Sequence, residues 1–419
     1  MKFFFPDSQD LVDPSFDFEK ETRGLTRLRQ RDDCYPHEMF KVPPYDGILV
    51  SRATMDERYT FAQKQRLFRQ GVREFLRLGS GNKTRIEILG DCGAFSYKDQ
   101  DIPPFTVDEV ITFYQQCDFD YGISVDHIIL DYNSEFDRGM KPPKKLLDRQ
   151  ALTLDYAAEF LAKSKKGKCR FRPLGVAQGW SPKSYAHSVR KLQFMGYTYI
   201  AIGGLVPMRT TDVLETLEAI NDVRQPKTGL HLLGITRFGS ISDFQKYGAV
   251  SFDSTSPLLQ AFKSDNDNYH TEDATYIALR VPQVQGNAKL KANILAGKVN
   301  QDDARRLERD CLRLLKEFDR KHVTSDSVLE QLLAYEQLHD GKINRRDAYL
   351  RVLEDRPWKA CPCEICTTLG IHVILFRGAE RNRRRGFHNL YVFHKKLCNH
   401  RSESPKRHIT TLHATANSK

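Results

Sequence analysis

The segment Arg170-Phe-Arg-Pro-Leu-Gly-Val-Ala177 runs into Ser181-Pro182, an amphipathic stretch to Met195, and then Tyr197-Thr-Tyr-Ile-Ala-Ile-Gly203. A short apolar run reads as a buried strand. Ser-Pro then opens a helix, because proline fits the first helical position. A second apolar run follows directly. Strand, helix, strand within about 30 residues is the parallel βα unit.

The same rhythm continues on both sides. Upstream, strands are predicted at Gly47–Ser51, Ile86–Gly90 and Tyr121–Ile129; downstream, at Leu230–Thr236 and Val250–Asp253. Helices are predicted between them over Tyr59–Leu78, Thr106–Cys117, Lys145–Lys163, Thr211–Val223 and Ile241–Tyr247. Seven strands alternating with helices suit a doubly wound sheet or a (β/α)8 barrel. The barrel is favoured because polar motifs end many different strands, whereas a doubly wound sheet gathers them at one switch point. The expected fold is therefore α/β: a (β/α)8 TIM barrel with a helical insertion and a structural zinc-binding subdomain. Residues 1–44 read as an irregular basic arm with Arg23, Arg27, Arg29 and Arg31, and 45–260 as barrel strands one to seven. Residues 261–360 read as a mainly helical insertion, with helices over Gln301–Phe318, Ser325–Leu338 and Arg345–Leu353. The last barrel strand is expected at Ile371–Phe376, inside a zinc-binding segment 361–398, and 399–419 as a flexible tail.

The chain has 419 residues, 40% apolar and 28% charged, which is globular composition, and a net charge of +11, which suits a polyanionic partner such as nucleic acid. Its nine cysteines lack the spacing of a disulfide framework, pointing to a reducing, cytoplasmic setting. The opening Met1-Lys-Phe-Phe-Phe-Pro is too short an apolar run for a signal peptide, and no stretch is long enough to span a membrane.

Cys361-Pro-Cys-Glu-Ile-Cys366 collects three thiols in one turn. With one imidazole they complete a tetrahedral zinc set with no position left for a substrate, so the metal would be structural. His372, His388, His394, Cys398 and His400 are all near enough in sequence to be the fourth ligand. Between them lies Arg377-Gly-Ala-Glu-Arg-Asn-Arg-Arg-Arg385, where Arg377, Arg381, Arg383, Arg384 and Arg385 are expected to meet phosphates through their planar forks.

The strand ends supply the chemistry. They carry Asp91 and Phe95, Asp126, Gln178, Gly203-Gly204, Leu233 and Asp253. Gathered at one mouth, these suit a flat heterocyclic base. Phe95 and Leu233 offer its two faces, Asp126 accepts from an N–H edge, and Gln178 with the Gly203 and Gly204 amides addresses a carbonyl. Asp91 and Asp253 can divide nucleophile and proton-transfer roles at an anomeric carbon.

These motifs resemble the tRNA-guanine transglycosylases. Asp91-Cys-Gly-Ala-Phe95, Gly175-Val-Ala-Gln-Gly179, Gly203-Gly-Leu205, Phe252-Asp253 with Pro257, and the three cysteines with His388-Asn-Leu390 carry the resemblance. Departures at Cys92, Ala94, Ser96 and Ser254, with the long insertion, are similar to the DNA-modifying branch, which places 7-deazaguanines such as 7-cyano-7-deazaguanine (preQ0) into DNA. The resemblance implies Asp253 as nucleophile, Asp91 as general acid/base, and Zn2+ on Cys361, Cys363, Cys366 and His388. It also implies DNA and a free 7-deazaguanine base as substrates, and an ATPase-like partner protein that opens DNA. The same chemistry on tRNA, or a non-catalytic nucleic-acid-binding subunit, are the alternatives.

Overall fold

Phe3-Phe4-Phe5, near the start, alternate between two apolar layers, which is how a strand between a barrel interior and a helical shell behaves. Phe4 joins Leu49, Leu89, Leu174 and Tyr199 inside, and Phe3 and Phe5 pack outward. The computed structural model describes residues 1–79, 85–340 and 344–403. Its eight parallel strands close in chain order: β1 (Lys2–Pro6), β2 (Gly47–Ser51), β3 (Glu87–Asp91), β4 (Tyr121–Ile123), β5 (Arg172–Ala177), β6 (Tyr199–Ile202), β7 (Gly229–Leu232) and β8 (Ala249–Asp253). β1 seals the barrel, pairing Phe5 with Ile48 of β2 and Phe4 with Asp253 of β8.

Two expectations are corrected here. The eighth strand is not Ile371–Phe376 but Lys2–Pro6, so the first residues of the expected arm are barrel wall. Residues Gly370–Ile374 form a 3-10 turn, and among the described residues Leu375–Phe376 pair only with Leu279–Arg280. Five residues dominated by phenylalanine carry too little period to separate a strand from a leader by pattern, and only closure against β8 decides. The rest of the arm is tied down through its charges, with Arg27 on Asp13 and Asp33, and Arg23 on Glu380.

The helices of the shell start where their caps dictate. Thr106 and Glu109 form a capping box at the head of Val107–Gln116, and Ser181 caps Pro182–Met195. The single helix expected over Tyr59–Leu78 is instead two, Phe61–Gln70 and Val72–Phe75, and a further helix, Arg52–Arg58, precedes them. Thr60 caps Phe61–Gln70, and Gly71, at φ +80°, ends it. Outside the barrel lie the helices Gln301–Asp319, Ser325–Asp340 and Arg346–Asp355. A long final helix, Gly378–Glu403, crosses the helix Ser256–Lys263 that follows β8. Asn399–Glu403 continue that helix, and the remainder of the expected tail, 404–419, lies outside the described residues. Among the described residues no helix is long and apolar enough to cross a membrane.

Candidate active site and metal centre

Asp91 is the last residue of β3 and Asp253 the last of β8, while Gln178 directly follows β5, Gly203 follows β6 and Leu233 follows β7. In a parallel barrel all of these ends share one rim. Asp253 Oδ1 accepts the Gly234 N–H at 3.0 Å and faces His231 Nε2 at 3.2 Å. Asp91 Oδ2 accepts the Gly93 N–H at 2.8 Å, closing a tight turn. That turn requires glycine. Gly93 sits at φ +82°, and a Cβ there would lie 2.4 Å from Ser51 Oγ. Burial pushes the Asp91 carboxyl up to about 7, with the charges of Asp126 and Asp253 adding to the shift.

Asp126 and Gln178 form the floor. They are 2% and 1% exposed, and Gln178 Nε2 donates to Asp126 Oδ2 at 2.7 Å. Gln178 Oε1 accepts from the Ile129 amide at 3.2 Å, which fixes which way the side-chain amide points. Burial raises the Asp126 carboxyl to about 7, against the bond from Gln178. Gly203 lies flat on Gln178, where a Cβ would come within 2.1 Å of Nε2. Its N–H, however, bonds to the Ala177 carbonyl at 3.1 Å, continuing the β5–β6 ladder. The expectation that this N–H addresses a base is therefore corrected. Gly204 follows at φ +76°. Leu233 is half-buried against the barrel interior, while Phe95 is 60% exposed, with Lys98 Nζ 4.9 Å from its ring centroid.

Sequence reasoning missed the residues beneath Asp253. His231 lies in the middle of β7, wholly buried, with Nδ1 2.6 Å from Ser251 Oγ of β8. Ser251 in turn meets the Tyr199 hydroxyl. The available signal was a histidine between Leu230 and Leu232, at the inward position of an otherwise apolar strand.

At the other end of the chain, Cys361, Cys363, Cys366 and His388 place their ligand atoms within 4.8 Å of one another. His388 Nδ1 lies 3.6, 3.4 and 3.3 Å from the three sulfurs. Its Nε2 bonds to the His270 carbonyl at 2.7 Å, which leaves the Nδ1 lone pair turned to the thiols. The Tyr269 ring stacks on the imidazole at 4.0 Å. These four residues fit one metal ion. His372, His394, Cys398 and His400 are not in the cluster.

The arginine segment is the clearest correction. From Gly378 on it is no loop but the start of the final helix, and Arg377, Arg381, Arg384 and Arg385 are 4%, 2%, 3% and 0% exposed. Arg377 grips Glu21 with two bonds of 2.6 Å, and Arg381 adds a third of 2.7 Å. Arg384 pairs with Glu380 at 2.6 Å. Arg385 donates to the carbonyls of Ala261, Val373 and Leu375. Helical spacing turns Arg381, Arg384 and Arg385 inward, and Arg377, just before the helix, turns inward with them, onto carboxylates and carbonyls of the chain itself. Arg383 alone of the five stays partly exposed, 3.7 Å from Asp10.

No family model matches the chain. A curated protein of Salmonella montevideo named DNA-guanine transglycosylase is 49% identical over 408 residues, covering 95% of this chain and 96% of that protein. With the closed barrel, the carboxylates on one rim and the Cys3His cluster, that likeness settles the family. The chain belongs to the DNA-guanine transglycosylases, the DNA-modifying branch of the tRNA-guanine transglycosylase superfamily.

Proposed function

We propose that this pentosyltransferase exchanges guanine in DNA for a 7-deazaguanine such as preQ0, through a covalent glycosyl ester on Asp253. The observation that carries the reading is the convergence of Asp91 and Asp253 on one rim with Asp126 on the floor below, and the Asp91 carboxyl raised to about 7. A carboxyl with that affinity exchanges protons readily near neutrality, as general acid/base work needs. Asp253 attacks C1′ and guanine leaves with a proton supplied by Asp91. Asp91 then takes a proton from the incoming base as it displaces the ester. Two displacements retain configuration, as in retaining glycosidases.

Asp126, Gln178, Gly204, Leu233 and Phe95 hold the base. Phe95, standing out in solvent, supplies the stacking face. The target nucleotide has to leave a duplex first, at a cost of a few kcal/mol. A partner of the ATPase class that opens DNA fits this need, within a modification system of the restriction-modification type in the cytoplasm. The metal is zinc and structural. Bond lengths of about 2.3 Å to sulfur and 2.0–2.1 Å to nitrogen in a tetrahedron imply S···N edges near 3.6 Å. The observed edges are 3.3 to 3.6 Å.

Incubation of the protein with labelled preQ0 and DNA or tRNA tests the reading. Label is expected in DNA only, and Asp253→Ala is expected to abolish incorporation and the covalent adduct while keeping fold and zinc. Uptake by tRNA alone, or normal incorporation by Asp253→Ala, overturns it.

A further inference from the structure

The row of polar side chains under Asp253 crosses three strands: Tyr199 on β6, His231 on β7 and Ser251 on β8. His231 is 0% exposed and Ser251 1%, and the Phe4 ring lies nearly perpendicular to the imidazole, with centroids 5.8 Å apart. Protons can be placed along this row. A nucleophilic carboxylate only accepts, so a neutral imidazole facing it across 3.2 Å carries its proton on Nε2, aimed at Asp253 Oδ1. Nδ1 then accepts from Ser251 Oγ at 2.6 Å, and Ser251 accepts from the Tyr199 hydroxyl. Every donor points the same way along the row. Asp253 Oδ1 therefore receives two N–H groups, from His231 and from Gly234 at 3.0 Å.

We propose that His231 is a positioning residue for the nucleophile: with the Gly234 amide it holds Oδ1, and leaves Oδ2 as the oxygen that bonds to C1′. This rests on Asp253 being the nucleophile. In the first displacement the Oδ2–C1′ bond forms, the C1′–N9 bond breaks, and the electron pair leaves with guanine N9. In the second, the ring nitrogen of the incoming base bonds to C1′ and the pair of the C1′–Oδ2 bond returns to the carboxylate. Oδ1 is the ester carbonyl in between and keeps both N–H bonds. As the carboxylate is expelled, charge returns to Oδ1, and those bonds strengthen. His231 therefore acts most on breakdown of the ester.

Three variants test this in the base-exchange assay, with kcat, the KM for free base and the steady-state fraction of enzyme held as DNA adduct all measured. His231→Phe should lower kcat about 10- to 100-fold, as expected for losing a hydrogen bond to a charged group, with the KM for free base rising only in step with the adduct fraction. The adduct fraction should rise, because the second displacement slows more than the first. His231→Gln, which returns an N–H near the Nε2 position, should recover much of kcat and the wild-type adduct fraction. Unchanged kcat in His231→Phe, an unchanged or lowered adduct fraction, or equal impairment of His231→Gln overturns the inference. Should His231→Phe fail to fold, Ser251→Ala decides. It leaves the imidazole in place but frees its tautomer, so kcat has to fall while the adduct fraction rises, and an unchanged kcat overturns the inference. If the wild type incorporates no base, the functional reading fails and this one with it. If the wild type is active and Asp253→Ala is dead, failure of the His231 variants to respond counts against this inference alone.

Discussion

Gln178 donates from Nε2 to Asp126 Oδ2 at 2.7 Å, and neither side chain is more than 2% exposed. A buried carboxylate with one donor depends on that donor. Gln178→Leu should leave Asp126 unpaired, costing about 1–3 kcal/mol of stability. It should also weaken binding of the incoming base, since Asp126 would then hold its proton and lose the capacity to accept. Thermal melts and equilibrium binding of labelled preQ0 check both effects. Full stability with full affinity would remove the pair from the base site.

The two raised carboxyls make stability depend on pH in a defined direction. Asp91 and Asp126 move from an ordinary 3.8 up to about 7. Between those values the folded protein holds protons that the unfolded chain has released, so the contribution is complete below 3.8 and is lost as pH rises through 7. Replacing both carboxyls by amides, Asp91→Asn with Asp126→Asn, removes this dependence. The melting temperature of the double variant minus that of the wild type is therefore expected to grow by a few degrees from pH 4 to pH 8. A difference that stays flat would show that the carboxyls titrate as ordinary surface groups.

Removing the metal should act on the outer layer before the barrel. His388 and Arg385 lie on the same helix, which crosses the Ser256–Lys263 helix so closely that a Cβ on Gly386 would meet the Leu258 carbonyl at 3.0 Å. Metal analysis is expected to return one zinc per chain. Cys366→Ser or a strong chelator should lower the melting temperature and increase amide exchange in the final helix, while strands β3 to β7 stay protected. Equal loss of protection throughout would show that the cluster supports the whole barrel.

Arg385 and Arg383 separate two kinds of arginine. Arg385 joins three segments through the carbonyls of Ala261, Val373 and Leu375, and burial lowers its affinity for its proton to about 9. Arg385→Ala should cost roughly 3 kcal/mol or more, through orphaned carbonyls and a cavity. Arg383→Ala should change stability by no more than about 0.5 kcal/mol. Denaturant melts distinguish them, and a small effect at Arg385 would contradict the buried geometry.

Much of the site was legible because its residues are tied to local signals. Asp91, Gln178, Gly203 and Asp253 end strands or follow them directly, and a strand end is visible as the point where an apolar run stops. The cysteines are legible for a similar reason, since C-x-C-x2-C is one turn with its own geometry. His231 was hidden because its meaning lies in a partner on the next strand, and no period along β7 points to Ser251 or Asp253. The arginines misled because charge density was read without a direction.

The sequence by itself determined the alternation of strands and helices, the caps that start the shell helices, the rim carboxylates and the thiol cluster. All of these are short-range, decided by neighbours within a few residues. Only the tertiary structure decided that Lys2–Pro6 closes the barrel, because closure is set by pairing with Asp253 across almost the whole barrel sequence. It also decided that four of five arginines turn inward. Whether a guanidinium meets phosphate or Glu21, Glu380 and the carbonyls of Ala261 depends on which chain segments pack opposite the helix. That arrangement comes from burying one apolar core, and it is not encoded in any one stretch.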